Sequence, residues 1–174
     1  DETFLLEKYY VQILAGVNSN EIVLDPEGWA KPGVIDRIPF YVTDSDVEIT
    51  AMVLGRPANY LTMALETPEG EQVALGNPSL IGRTTQRSLY MRAGLPLLAN
   101  GVPGHGGRWQ LLLTIHPEFW RRFAATGDHQ GAQGPGIRYS ANVAAYSNLR
   151  MAAGVHQSSM VPGGRLTARG LLTA

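Results

Sequence analysis

Short strand-length segments, divided by glycine and proline, constrain this chain more than any other feature. Between residues 21 and 147 apolar and polar side chains alternate, and turn signals return about every 8 to 15 residues. The βαβ alternative needs a helical run between successive strands. With 20 Gly and 11 Pro in 174 residues, the sequence offers no series of such runs. The pattern predicts an all-β chain, an antiparallel β-sandwich with one N-terminal helix and a short helical turn near 117–123.

The strand candidates follow from period two. They are Glu21–Leu24, Ile38–Thr43, Val47–Leu54, Tyr60–Thr67, Glu71–Leu75, the alternating Trp109, Leu111, Leu113 and Ile115, and Tyr139–Tyr146. Asp25-Pro26-Glu27-Gly28, Lys31-Pro32-Gly33, Pro68-Glu69-Gly70 and Pro103-Gly104-His105-Gly106-Gly107 read as turns. Trp109 shares a face with three aliphatic residues and is expected in the core. Residues 1–17 differ: Leu6, Tyr10, Ile13, Leu14 and Val17 follow a 3.6-residue period, so a helix is predicted, and Leu6, Tyr10, Ile13 and Leu14 are expected to dock on the sandwich or on a neighbouring domain. Residues 124–137 are small and polar and predict a mobile loop. Three regions result: a helix over 1–17, a sandwich over 18–150, and a segment over 151–174 that opens a following unit or supplies a C-terminal strand.

Charge is divided along the chain. Residues 1–71 carry 13 acids and 4 bases, a net of −9, whereas residues 72–174 carry 2 acids and 10 bases, a net of +8. Two oppositely charged surfaces would produce this split, and so would two halves whose strands interleave and neutralise each other.

Several chemistries are excluded by residue type. The chain has no cysteine, which removes disulfides, iron–sulfur clusters, thiolate zinc sites and a cysteine nucleophile. His116-Pro117-Glu118 matches the first half of a zinc deaminase signature whose second half requires cysteines. No Gly-x-Ser-x-Gly elbow, Gly-Lys phosphate loop or His-Glu-x-x-His run occurs. His105, His116, His129 and His156 have no close histidine partner and read as loop or surface residues. No apolar run approaches the roughly 18 residues that span a bilayer, so this segment is not expected to insert into a membrane.

Four features keep a functional and a plain reading side by side. Asp44 and Asp46, between two strands, supply hard oxygens for calcium, or form an acidic turn bonded to nearby amides. Phe119-Trp120-Arg121-Arg122-Phe123 places aromatics beside charges, as a base-stacking or sugar-binding cluster does; the plainer reading is a helical turn that buries Phe119 and Phe123 and leaves the arginines in water. The near-neutral total charge and the lack of a binding fold argue against nucleic acid as partner. Trp29 and Trp120 are the candidates for a flat carbohydrate-binding platform. No catalytic set emerges, although paired carboxylates among the clustered acids are a remote enzymatic alternative.

The order of several phrases carries a resemblance. Glu7-Lys8-Tyr9-Tyr10-Val11-Gln12-Ile13-Leu14 leads to Ile22-Val23-Leu24-Asp25-Pro26, Ile38-Pro39-Phe40-Tyr41-Val42-Thr43 and Leu65-Glu66-Thr67-Pro68-Glu69-Gly70. Gly107-Arg108-Trp109-Gln110-Leu111, Ala145-Tyr146-Ser147-Asn148-Leu149-Arg150 and Val161-Pro162-Gly163-Gly164 complete the series. Together they resemble the region that follows a von Willebrand factor A domain in bacterial proteins, an arrangement similar to that of calcium-activated chloride channel regulators. The resemblance implies a non-enzymatic sandwich module of a surface or extracytoplasmic protein, which orients adjacent domains of the same chain for adhesion or protein binding. It also implies that helix 1–17 joins a preceding A domain and that 151–174 opens an immunoglobulin-like unit. The A domain's Asp-x-Ser-x-Ser metal run is absent here; Asp44-Ser45-Asp46 fails at its second spacing.

Overall fold

The computed structural model describes residues 2–17, 21–125, 136–157 and 162–173. It opens with helix α1 (Glu2–Val17), and strands β1 (Glu21–Leu24), β2 (Glu27–Ala30), β3 (Ile35–Val42) and β4 (Asp46–Gly55) follow. A 3-10 turn (Ala58–Tyr60) leads into β5 (Leu61–Glu66), β6 (Gln72–Ala74), β7 (Leu80–Thr84) and β8 (Ser88–Gly94). Next come β9 (Leu97–Ala99), β10 (Val102–Gly104), β11 (Gly107–Ile115), α2 (Pro117–Ala125) and β12 (Ile137–Ser147). The chain continues through β13 (Arg150–Gln157) and β14 (Leu166–Thr173).

Every named strand pairing is antiparallel, and the alternation read from sequence sorts residues between two facing sheets. The larger sheet runs β1-β12-β4-β8-β7, with β2 also paired to β12; the smaller runs β3-β11-β5-β6. Ile49, Ala51 and Val53 of β4, Leu89 and Met91 of β8, and Ala141 and Val143 of β12 form one side of the core. Phe40 of β3, Met63 and Leu65 of β5, and Trp109, Leu111 and Leu113 of β11 form the other. Trp109 is fully buried, stacks on Phe40 at 6.4 Å between ring centroids, and donates its indole N–H to the His105 carbonyl at 2.6 Å. A buried indole thus finds its polar partner while its ring fills the core.

The two charge halves interleave. Strands β3, β4 and β5 from the acidic half are paired to β8, β11 and β12 from the basic half. Ion pairs Arg92–Glu48, Arg138–Glu27 (2.9 Å) and Arg87–Glu7 (3.4 Å) join them.

Some elements differ from expectation. The Asp25–Gly28 turn is shorter than predicted, because Glu27 and Gly28 already belong to β2. Glycine there serves clearance rather than turn geometry: Gly28 faces Tyr139, and a Cβ at Gly28 would lie 2.6 Å from its hydroxyl and 2.7 Å from Cζ. Val102–Gly104, read as part of a turn, forms β10, which pairs with β9 around Asn100-Gly101, both with positive φ (50° and 86°). An Asn-Gly pair suits such a two-residue hairpin turn. Beyond β12 the described residues form a hairpin, β13 with β14, whose described side chains are exposed. Of the loop predicted over 124–137, residues 126–135 lie outside the described residues.

Gly28→Ala is therefore expected to destabilise the chain by about 1–3 kcal/mol through overpacking against Tyr139. Urea unfolding checks this: the midpoint falls while the slope stays constant.

Candidate functional site

The outer face of the larger sheet is where the chain departs most from an ordinary sandwich. Ser140, Asn142 and Ala144 of β12 are small, point away from the core, and are nevertheless buried, because α1 lies across β1, β12 and β4. Small residues let a helix approach a sheet closely.

The sandwich leaves Leu6, Tyr10 and Ile13 uncovered, and a different face of the helix meets it. Phe4 is only 4% exposed, with the Arg138 guanidinium 5.0 Å from its ring centroid. Glu7 accepts Arg56 Nη2 at 3.2 Å and lies 3.4 Å from Arg87 Nη1. Lys8 bridges Asp25 (3.3 Å) and Glu27 (3.0 Å), and Gln12 Nε2 donates to Asp25 at 2.6 Å. These residues recur at spacings of three and four and so share one helix face. Leu6, Tyr10, Ile13 and Val17 are 69%, 62%, 62% and 74% exposed, whereas Leu14 of the same stripe is 39% exposed and lines the groove between α1 and the sheet. A 3.6-residue period marks an apolar face without naming what covers it. What fixes α1 here is charge: the Arg138 hydrogen bond, then that from Lys8, holds the Glu27 carboxyl below its ordinary range. The hydrogen bond to Glu27 in turn raises Lys8.

Asp44 and Asp46 occupy the β3–β4 turn. Asp46 is buried; its carboxylate accepts the Thr43 N–H at 2.6 Å, and its carbonyl lies 2.8 Å from His105 Nε2. Asp44 packs on Gly106, where a Cβ would come within 2.0 Å of Oδ1. The turn thereby clamps the 105–107 loop that holds the Trp109 indole. Among the described residues, no group of three or more His, Asp or Glu side chains converges as a metal site would require.

The other predicted site residues do not come together. Trp29 lies on β2 opposite Arg138 and is 38% exposed. Trp120 is partly buried against the core, whereas Arg121 is exposed; the side chain of Arg122, like that of Phe123, lies outside the described ones. Phe119, expected inside, is 41% exposed and packs edge-on to Tyr60 with centroids 6.3 Å apart. The reason is that α2 turns Trp120 inward, and its next neighbour on a helix points elsewhere.

Glu66 is the other buried carboxylate of note. It accepts both oxygens' worth of bonds from Arg37 (2.6 and 2.7 Å), with Gln72 (2.9 Å) and Gln110 (2.8 Å). Chiefly through Arg37, its pKa is held low. Such a saturated carboxylate ties all four strands of the smaller sheet together. Sequence reasoning missed it, because Arg37, Glu66, Gln72 and Gln110 meet only through strand register.

Among the described residues, two apolar surfaces stand out besides a groove beneath α1. One is the α1 stripe. The other is the face of β13–β14 that gathers Val155, Leu166 and Leu172, all more than half exposed. No helix among the described residues is long and apolar enough to cross a membrane. No protein-family model matches the chain, and no curated protein matches it in sequence.

Two outcomes follow. Asp46→Ala is expected to cost about 1–3 kcal/mol through the orphaned Thr43 amide, equally with and without millimolar calcium; a calcium-dependent rise in Tm would instead assign an ion to this turn. Docking of α1 should depend on pH at both ends. Glu27's lowered pKa stabilises the docked helix above the ordinary glutamate value of about 4.3, and this is lost as pH falls through the lower folded value. Lys8's raised pKa stabilises it below about 10.4, and this is lost as pH rises through the higher folded value. Hydrogen exchange of α1 amides should accordingly be slowest between these limits relative to β12, after correction for intrinsic rates.

Proposed function

We propose that this chain is a non-enzymatic structural and interaction module that holds a neighbouring folded domain against α1. The observation that supports this reading is the two-sided helix. Paired charges pin one face of α1 to the sandwich, and Leu6, Tyr10, Ile13 and Val17 stand exposed on the other. An apolar stripe with two adjacent tyrosines has the composition of a protein interface core, which is rich in aromatics and poor in charge.

A membrane surface fits less well. Helices that lie on anionic bilayers carry lysine and arginine along their polar face. The single base of α1, Lys8, is engaged by Asp25 and Glu27, and the helix also carries Glu2 and Glu7. The open apolar face of β13–β14 supplies a second attachment surface, and an isolated two-stranded sheet needs such a cover to be stable. In line with the resemblance to sandwich regions that follow von Willebrand factor A domains, the body on α1 is an A-type domain of the same polypeptide. The setting is an extracytoplasmic or cell-surface protein concerned with adhesion or protein binding.

The test is the double substitution Leu6→Ser/Ile13→Ser. In the 174-residue chain it should leave stability within about 0.5 kcal/mol. In the full-length protein it should speed hydrogen exchange across α1 and raise the radius of gyration as the neighbouring domain detaches. An unchanged domain arrangement, or collapse of the isolated chain, would contradict the reading.

A further inference from the structure

The groove between α1 and the outer face of the larger sheet has a volume of about 590 Å³, within the range of small-molecule sites. Its floor includes Asn142, Met52, Tyr90, Tyr146, Glu48 and Arg92, and α1 contributes Val11 and Leu14 as one wall. Asn142 is the informative residue. It is only 8% exposed, yet its Nδ2 has no hydrogen-bond partner among the described residues. Buried amides are ordinarily paired with protein, water or a ligand, and one that opens on a groove is available to donate to a molecule bound there. Rotation about the soft terminal torsion of asparagine presents either end of the amide to that ligand.

We infer that this groove binds a short neutral oligosaccharide. Its two charged floor residues, Glu48 and Arg92, form an ion pair with each other, so the site selects no net charge. Tyr90 and Tyr146 supply aromatic surface next to Asn142 and Thr50, whose polar groups suit ring hydroxyls. An extended peptide is disfavoured by topology. Strand β4 is hydrogen-bonded to β12 and β8, β8 to β4 and β7, and β12 to β4, β1 and β2, so the floor offers no free strand edge for backbone pairing. Recognition must come from side chains, as it does for sugars. This site is separate from Trp29 and Trp120, the residues that composition alone suggests for carbohydrate, and it does not depend on what covers Leu6 and Ile13.

Nuclear magnetic resonance titration of the 174-residue chain tests the assignment, with maltotriose, cellotriose and tri-N-acetylchitotriose as neutral probes at up to about 10 mM. A trigalacturonate and an unstructured peptide serve as charged and polymeric comparisons. At least one neutral trisaccharide should shift the resonances of Tyr90, Asn142 and Tyr146. Asn142→Ala and, independently, the partly exposed Tyr146→Ala should each weaken binding about tenfold or more while the melting temperature shows the chain folded. Trp29→Ala and Leu6→Ser/Ile13→Ser should leave affinity unchanged. Absence of shifts with all three neutral probes overturns the proposal. So does binding that survives both groove substitutions, or binding confined to the trigalacturonate or the peptide.

Discussion

The antiparallel ladder between β4 and β12 is the interaction on which the rest depends. It runs from Asp46 opposite Ser147 to Gly55 opposite Tyr139. One partner comes from the acidic half of the chain and the other from the basic half. Every other strand of the larger sheet is placed by it: β8 and β7 extend from β4, and β1 and β2 pair with β12. Its inner face supplies Ile49, Ala51, Val53, Ala141 and Val143 to the core. Its outer face supplies Ser140, Asn142 and Ala144 to the bed of α1. Because the side-chain period is two, a one-residue slip would send the core set outward and expose the helix to the wrong face.

Charge then decides what hydrophobicity leaves undecided. Apolar residues lie on several sides of α1, so hydrophobicity alone does not choose its docking face, and α1 meets the sandwich through Phe4 and through Glu7, Lys8 and Gln12. Surface ion pairs are individually weak. Here Arg138, Glu27, Lys8, Asp25 and Gln12 form a connected chain of contacts, each partly shielded and each limiting the freedom of the next. Of these contacts, Arg138–Glu27 joins the basic half to the acidic half. The sandwich leaves Leu6, Tyr10, Ile13 and Val17 of the stripe exposed.

The legible part of the structure was that governed by local rules. Alternation located β4, β5, β11 and β12 to within a few residues, and the 3.6-residue period located α1. Less legible were β2, hidden because Pro26 and Gly28 read as turn residues, β7 and β8, where no strand is expected from the sequence, and β9–β10, which turn at Asn100-Gly101. The position of Phe119 was inverted because Trp120 claimed the inward direction of α2. Asp44 and Asp46 admitted two readings in sequence. The Thr43 amide and the His105 ring explain them as a clamp on the loop that carries Trp109. The groove, the Glu66 cluster and the docking face of α1 had no linear signature at all.

By itself the sequence determined the fold class, the core candidates and the absence of thiol chemistry, because periodicity, turn residues and composition act over a few neighbours. Only the tertiary structure decided which residues meet. Asn142 of β12 shares a groove with Tyr90 of β8 and Val11 of α1, and Arg138 reaches Glu27 and Phe4, because register and helix orientation bring distant segments together. Those choices rest on long-range pairing and on the geometry of a few charges, and neither is written in any local stretch of the chain.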